Sequence, residues 1–445
     1  GCVSCTRRVG NPVDIVPLRL ARRCIPVGFE CYASVMRAPV YAFALVLAIT
    51  VLPFARAQSA PAPAIQAALD AARRNEPHFL DEQARICEIP APPFHEAARA
   101  REMARLFRQL GLANVHIDKA GNAIGTRPGA SAHPNVVLAA HLDTVFPEGT
   151  NVAVTRKGAL LTGPGIGDDC RGLAVLLAVI QSLKDANLKT PGTITFAADT
   201  GEEGLGDLRG VKELFQTDLK GRIEKFVSID GTGLGIIDVG VGSYRYRAEF
   251  KGQGGHSFGN FGVANPIQAM GRAIAKIDAI EVQPKPRTTF NVGRVGGGTS
   301  VNSIPSECWM EVEARSSDQP SLKALSDGIK AAILRAVDEE NTRWNDRGPV
   351  TVSIKQVGYR PTGATVGDSP IVQAAIAATK PFTDYLTPGE ASTDANLPMS
   401  LGIPAITIGG GGYGSGAHTL QEDFDATDSY QGTQRALLLV TALAR

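Results

Sequence analysis

Short apolar runs set the frame for this chain: NVVLAA (Asn135–Ala140), TITFAA (Thr193–Ala198) and KFVSID (Lys225–Asp230). They are rich in β-branched residues and are separated by helical stretches such as RGLAVLLAVIQSLKDA. Apolar strands alternating with helices predict an α/β fold with a largely parallel sheet covered by helices. Ahead of them, EAARAREMARLFRQLGL carries apolar residues at helical intervals, and VHIDKAGNAIGTRPG alternates like a hairpin with Gly121-Asn122 near its turn.

From about Gly242 to Val357 the pattern changes. SYRYRAEFKG reads as a strand, NPIQAMGRAIAKIDAI as a helix, and TTFNVGRVGGG and ECWMEVEARS as two strands. A helix, SLKALSDGIKAAILRAVDEE, and a closing strand, VTVSIKQVG, complete a β-α-β-β-α-β order. That is the ferredoxin-like α+β arrangement. SPIVQAAIAATK and IPAITIGGG then resume the alternation of helix and apolar strand. The expected organisation is one α/β domain in two parts, 62–241 and 358–445, interrupted by a smaller lid domain over 242–357.

Acidic and imidazole side chains gather where strands end. His141 and Asp143 stand two apart after an apolar strand, so both can face one point. Glu202 and Glu203 follow a second strand and Asp230 ends a third. Asp168 and Asp169 open a helix, and His418 lies in a glycine-rich loop after IPAITIGGG. Sites in open α/β sheets lie beyond the carboxyl ends of strands. Only seven histidines occur in the chain, so two in such loops are informative. Like charges this close need cations to offset them. A mix of His and carboxylate without a Cys pair suits zinc or a similar divalent ion in a two-metal site. A nearby carboxylate that binds no metal could then take a proton from water.

Other chemistries fit less well. GPGIGDDCRG (Gly163–Gly172) lacks the Gly-Lys-Ser/Thr of a phosphate loop, and no G-x-S-x-G elbow marks a serine hydrolase. Lys plus Arg (45) nearly balances Asp plus Glu (44), which gives no field for nucleic acid or an anionic membrane.

The N-terminus reads separately. From Met36 a basic start, an apolar run (Ala42–Phe54) and small residues at Ala55 and Ala57 have the layout of a secretory signal peptide. The run is about 13 residues, short of the ~20 that span a bilayer, so no stable membrane insertion is expected. Residues 1–35 read as an over-extended start, their CVSC lacking a second metal-binding pair. The expected product is exported after cleavage near Ala57. Its three remaining cysteines, Cys87, Cys170 and Cys308, are an odd number, which argues against a disulfide framework.

In order along the chain stand HLDTV, GPGIGDD, GEEG, GGHS, STDAN and GAHT. As a set they resemble the zinc-dependent exopeptidases and amidohydrolases that include peptidase T, carboxypeptidase G, aminoacylase and succinyl-diaminopimelate desuccinylase, peptidase family M20. The peptidase T-like branch is the nearer in detail. The resemblance implies two divalent ions, Zn2+ first and Co2+ or Mn2+ as alternatives. It implies that His141, Asp168 and Asp230 hold one ion, with Asp168 shared and Glu203 and His418 completing the other. Asp143 would orient His141, and Glu202 would be the general base. It also implies a cis peptide between Asp168 and Asp169.

His256 matches a lid histidine that stabilises the oxyanion, often in a neighbouring subunit, which implies a homodimer through the lid. Asn302, Arg315 and Arg360 match polar positions that hold substrate. The implied substrate is a small peptide, cleaved by an aminopeptidase or tripeptidase. The alternatives are an N-acyl amino acid deacylase or a carboxypeptidase using the same site, or a member retained for binding. Relatives commonly follow the aspartate pair with Lys. Here Cys170 and Arg171 stand there, and a thiol so near could also act as a metal ligand.

Overall fold

The computed structural model describes residues 62–445. The expected signal peptide, residues 36–57, and the segment 1–35 lie outside the described residues.

Strands Asn135–His141 and Thr193–Asp199 are buried along their whole length. They lie inside a nine-stranded mixed sheet. Its centre is four parallel neighbours: Thr193–Asp199, Asn135–His141, Lys225–Ile229 and Ala405–Ile408. The Ala113–Ile117/Ala123–Arg127 hairpin adds antiparallel strands on one side, and Ile236–Gly240 adds one on the other. Parallel strands thus occupy the part that helices cover, and antiparallel strands the flanks.

Helix Cys170–Asp185 is apolar almost all round, as a helix buried on every side must be. It packs against helices Pro63–Cys87 and Tyr430–Leu443 and against the central strand. Asp169 caps it, its carboxylate accepting the Gly172 N–H at 3.1 Å. Truncating the fully buried Leu176 to alanine would cost about 2–5 kcal/mol.

The four long strands Gly242–Lys251, Thr288–Gly297, Glu307–Ser316 and Thr351–Arg360 form a separate antiparallel sheet, with Gly242–Lys251 and Glu307–Ser316 in the middle. Cys308, Met310, Val312 and Ala314 alternate inward beneath helices Pro266–Asp278 and Gln319–Arg343, forming a core of their own. Glu311, Glu313 and Arg315 take the opposite, uncovered face.

Two features bring distant segments to the site. In a small antiparallel sheet, Leu160–Thr162 pairs with Asp423–Asp425, which sets the loop before Asp168 beside the loop carrying His418. A disulfide joins Cys87 to Cys170. It corrects the expectation from the odd cysteine count: an odd number forbids only complete pairing. The first helix ends where the Cys170 helix begins, and buried Cys308 is the free thiol among the described residues. Bonded in this way, Cys170 is no metal ligand.

Candidate metal centre

The carboxyl ends of the central strands deliver the rim. His141 ends its strand, Asp230 follows Lys225–Ile229, and Glu202 and Glu203 follow Thr193–Asp199. Ligand atoms of His141, Asp168 and Asp230 lie within 4.8 Å of one another, as do those of Asp168, Glu203 and His418. A third such group is His141 with Glu202 and Glu203. Asp168 faces both imidazoles with different oxygens: Oδ1 is 2.9 Å from His141 Nε2 and Oδ2 is 3.2 Å from His418 Nε2. His418 Nε2 also lies 3.0 Å from Glu203 Oε1. The Asp168–Asp169 peptide is cis, as the family resemblance implied.

The proton count points to a cation. His141 Nδ1 sits 3.0 Å from the Asp143 carbonyl oxygen, so Nδ1 carries the hydrogen of a neutral ring. Its Nε2 lone pair then confronts an Asp168 carboxylate oxygen, and two acceptors face each other unless a proton or a metal ion joins them. In the metal-free site a proton does so. Burial alone would disfavour charge on His141, yet Asp168, Asp169 and Asp230 raise its pKa well above the ordinary value. Hydrogen bonds to Asp168 and Glu203 push His418 up to about 10. Burial, then the charge of Asp168, raises Asp230 well above the carboxylate range. Two imidazoles and two further carboxylates around a shared aspartate suit a pair of divalent ions.

Buried supports fix this rim. The Asp143 carboxylate lies 3.7 Å from His141 Nδ1, so the expected orienting contact is made by its backbone carbonyl instead. The carboxylate accepts the N–H groups of Gly201, Glu202 and Glu203 at 2.8, 3.1 and 2.9 Å. It therefore shapes the loop of the two glutamates. Asp169 accepts N–H groups of His141 and Gly231 at 3.1 and 3.2 Å, tying two ligand-bearing strands to the helix.

A sequence model described as peptidase family M20/M25/M40 matches residues 137–442. The chain belongs to that family. The uncharacterized protein YqjE of Bacillus subtilis (strain 168) is 29% identical over 351 residues, 75% of this chain and 90% of that one. The fold is similar to a tripeptidase from Staphylococcus aureus, with TM-score 0.69, 23% identity, and 83% and 99% of the two chains covered. It is also similar to YxeP of Bacillus subtilis, described as a dinuclear metal binding peptidase from the M20 family. There the TM-score is 0.59 and the identity 17%, with 83% and 98% of the chains covered. This M20 chain is accordingly a hydrolase of the metallopeptidase and amidohydrolase class.

The lid of this M20 hydrolase faces the rim with three arginines, Arg245, Arg315 and Arg360, which line one cavity with Asp168, Glu203 and Asp230. Arg360 was expected to hold substrate. The structure pairs it with Glu202, Nη1 donating to Oε1 at 2.6 Å and Nη2 to the Glu202 carbonyl. Burial raises the Glu202 pKa and Arg360 pulls it back. Arg315 donates to Glu313 at 3.0 Å beside the cavity. His256 and Asn302 are not brought to the rim within this chain. Both are exposed, joined through the Ser257 N–H and Asn302 carbonyl at 3.0 Å.

Sequence reasoning passed over several residues of the M20 site. Glu422 accepts the N–H groups of Gly165, Gly167 and Asp168 at 2.9, 2.8 and 2.9 Å, clasping the GPGIGDD loop. Its place in LQED, four residues past His418, was the available signal. Arg171, noted in the sequence only for its place behind the aspartate pair, is buried and donates to the carbonyls of Gly410 and Ser429 at 2.8 and 2.6 Å. Arg245 donates to the Gly204 carbonyl, so a second lid arginine holds the glutamate loop. Arginines alternating along YRYR in a strand were its signal.

Proposed function

We propose that this chain is a dinuclear metal-dependent exopeptidase, of the aminopeptidase or tripeptidase type, acting on small peptides. The observation that carries this reading is Asp168, placed between two imidazoles with an oxygen toward each, beside Glu202, which belongs to neither of the two triads that contain Asp168 and is held by Arg360. His141, Asp168 and Asp230 are assigned to one ion, and Asp168, Glu203 and His418 to the other. Zn2+ is the preferred metal, with Co2+ and Mn2+ as alternatives. Divalent ions held there supply Lewis acidity that polarises an amide carbonyl and acidifies water. Glu202, one oxygen held by Arg360, offers the other to accept a proton from the attacking water and return it to the leaving amine. Arg315 is assigned to a substrate carboxylate.

His256 and Asn302, exposed beside Phe258 and Val301, are assigned to a partner's site in a lid-to-lid homodimer. Arg245 and Arg315, which line the rim cavity beside the Glu202-paired Arg360, also favour a second reading, an N-acyl amino acid deacylase or carboxypeptidase whose substrate carries a carboxylate next to the scissile amide. Purified protein should release amino acids from di- or tripeptides, lose activity to a chelator and regain it with zinc, cobalt or manganese. Turnover only with blocked amino termini would favour the second reading, and full activity at zero metal content would sink both.

Export after Ala57 completes the proposal. The Cys87–Cys170 bond supports it, because such bonds persist in oxidising compartments. Amino-terminal sequencing of the protein from its native cell should begin at Gln58. Uncleaved protein in the cytoplasm would overturn this reading.

A further inference from the structure

The rim opens on two compartments of opposite character. One, of about 320 Å³, contains the carboxylate cluster and the three lid arginines. The other, of about 890 Å³, is walled by Val145, Phe146, Pro147, Ala153, Pro164 and Leu420. Val145 and His418 line both, so the larger compartment opens directly beside the candidate metal ligands. Apart from His418 its lining carries no ionisable side chain. Its remaining polar members are threonines and Asn151.

We propose that this second compartment receives an apolar, uncharged side chain or acyl group of the substrate, next to the scissile amide. The proposal rests on the reading of the rim as an amide hydrolase. A charged group placed against these walls would find no counter-charge apart from the imidazole of His418. An apolar group would gain about fourfold in transition-state binding for each methylene it buries. Phe146, itself buried, gives the wall a fixed aromatic face. The volume lies within the range of small-molecule sites, so a leucyl, phenylalanyl or medium-chain acyl group fits without moving the fold. Charge would be read in the arginine-lined compartment, and bulk and polarity in this one.

The test uses metal-loaded full-length protein and two series with a constant leaving amino acid. One series is glycyl, leucyl, phenylalanyl, lysyl and glutamyl dipeptides, and the other is N-acetyl and N-hexanoyl derivatives. In whichever series is turned over, kcat/KM should rise at least tenfold from the small to the large apolar group. In the dipeptide series, lysyl and glutamyl should fall below leucyl. Ala153 is exposed on the wall, so Ala153→Trp adds bulk without disturbing the core. It should cut the large-to-small ratio about tenfold, and Thr155→Trp, also on an exposed wall position, should do the same. A flat series with turnover intact, or a ratio that both tryptophan variants preserve, overturns the compartment alone. Absence of turnover on every member overturns the hydrolase reading and this inference with it.

Discussion

The carboxyl edge of the main sheet and the uncovered face of the lid sheet both carry many charges, and they manage them differently. On the lid, Arg247 pairs with Glu249 and Glu311, Arg294 with Glu311, and Arg245 and Arg315 with Glu313. Charges of opposite sign alternate across neighbouring strands, and most of these pairs are partly exposed, so each adds little. The rim has no such balance. Asp168, Asp169, Glu202, Glu203 and Asp230 crowd together, and burial first, then neighbouring acids, holds Asp169 and Asp230 well above the carboxylate range. Arg360 alone among the lid arginines makes an ion pair with a rim carboxylate. A balanced face is complete in itself. An unbalanced, buried one is stable only with protons or cations added, which marks it as built for a ligand.

The largest effect expected from breaking this contrast is at Glu202. Glu202→Gln removes the proton acceptor but preserves shape, so kcat should fall about 10²–10⁴-fold while the protein retains its full metal content. Kinetics beside elemental analysis checks this, and kcat within tenfold of wild type would refute the assignment. Arg360→Met comes next, because it imposes the rim's imbalance on a pair now satisfied. Losing one partner of a buried ion pair costs about 3–5 kcal/mol, read as a lower denaturation midpoint. Because Arg360 holds Glu202 and its carbonyl, kcat should drop about 10–100-fold with KM nearly constant. A rise in KM alone would return Arg360 to the substrate-binding role expected from the family resemblance.

The same contrast explains what was legible in the chain. Strands buried on both faces leave unbroken apolar runs, and a residue just past such a run lies at a known edge of the sheet. His141, Glu203 and Asp230 could therefore be located from local pattern alone. The lid strands and helices were equally readable, since Cys308, Met310, Val312 and Ala314 alternate with period two. Glu422 was not, because its role depends on Leu161 pairing with Phe424, a contact between distant segments that no local period encodes. Arg99 was hidden for the same reason: buried among backbone carbonyls of Cys87, Ile89 and Leu142, it fixes the turn after His141. The Asp143 carboxylate lay at a readable position with an unreadable partner, since i and i+2 share a face but do not say which loop comes to meet them.

The smallest effect expected concerns two acids behind the rim. Asp199 and Asp394 are fully buried, face each other, and accept no hydrogen bond from other groups. Burial pushes Asp199 up to about 7 and, with the charge of Asp199, raises Asp394 well above the ordinary range. In the unfolded chain both ionise near pH 4. The folded, metal-free protein therefore binds more protons than the unfolded chain between about pH 4 and 7, and this contribution to stability is lost as pH rises through that window. Asp199→Asn supplies a permanent amide donor to Asp394 and removes one titration. In chelator-treated protein its unfolding free energy should fall less between pH 5 and 7.5 than that of wild type, by on the order of 2 kcal/mol, read as a smaller drop in melting temperature. An equal fall in both proteins would show that the pair shares no proton, and that the imbalance of charge stops at the rim itself.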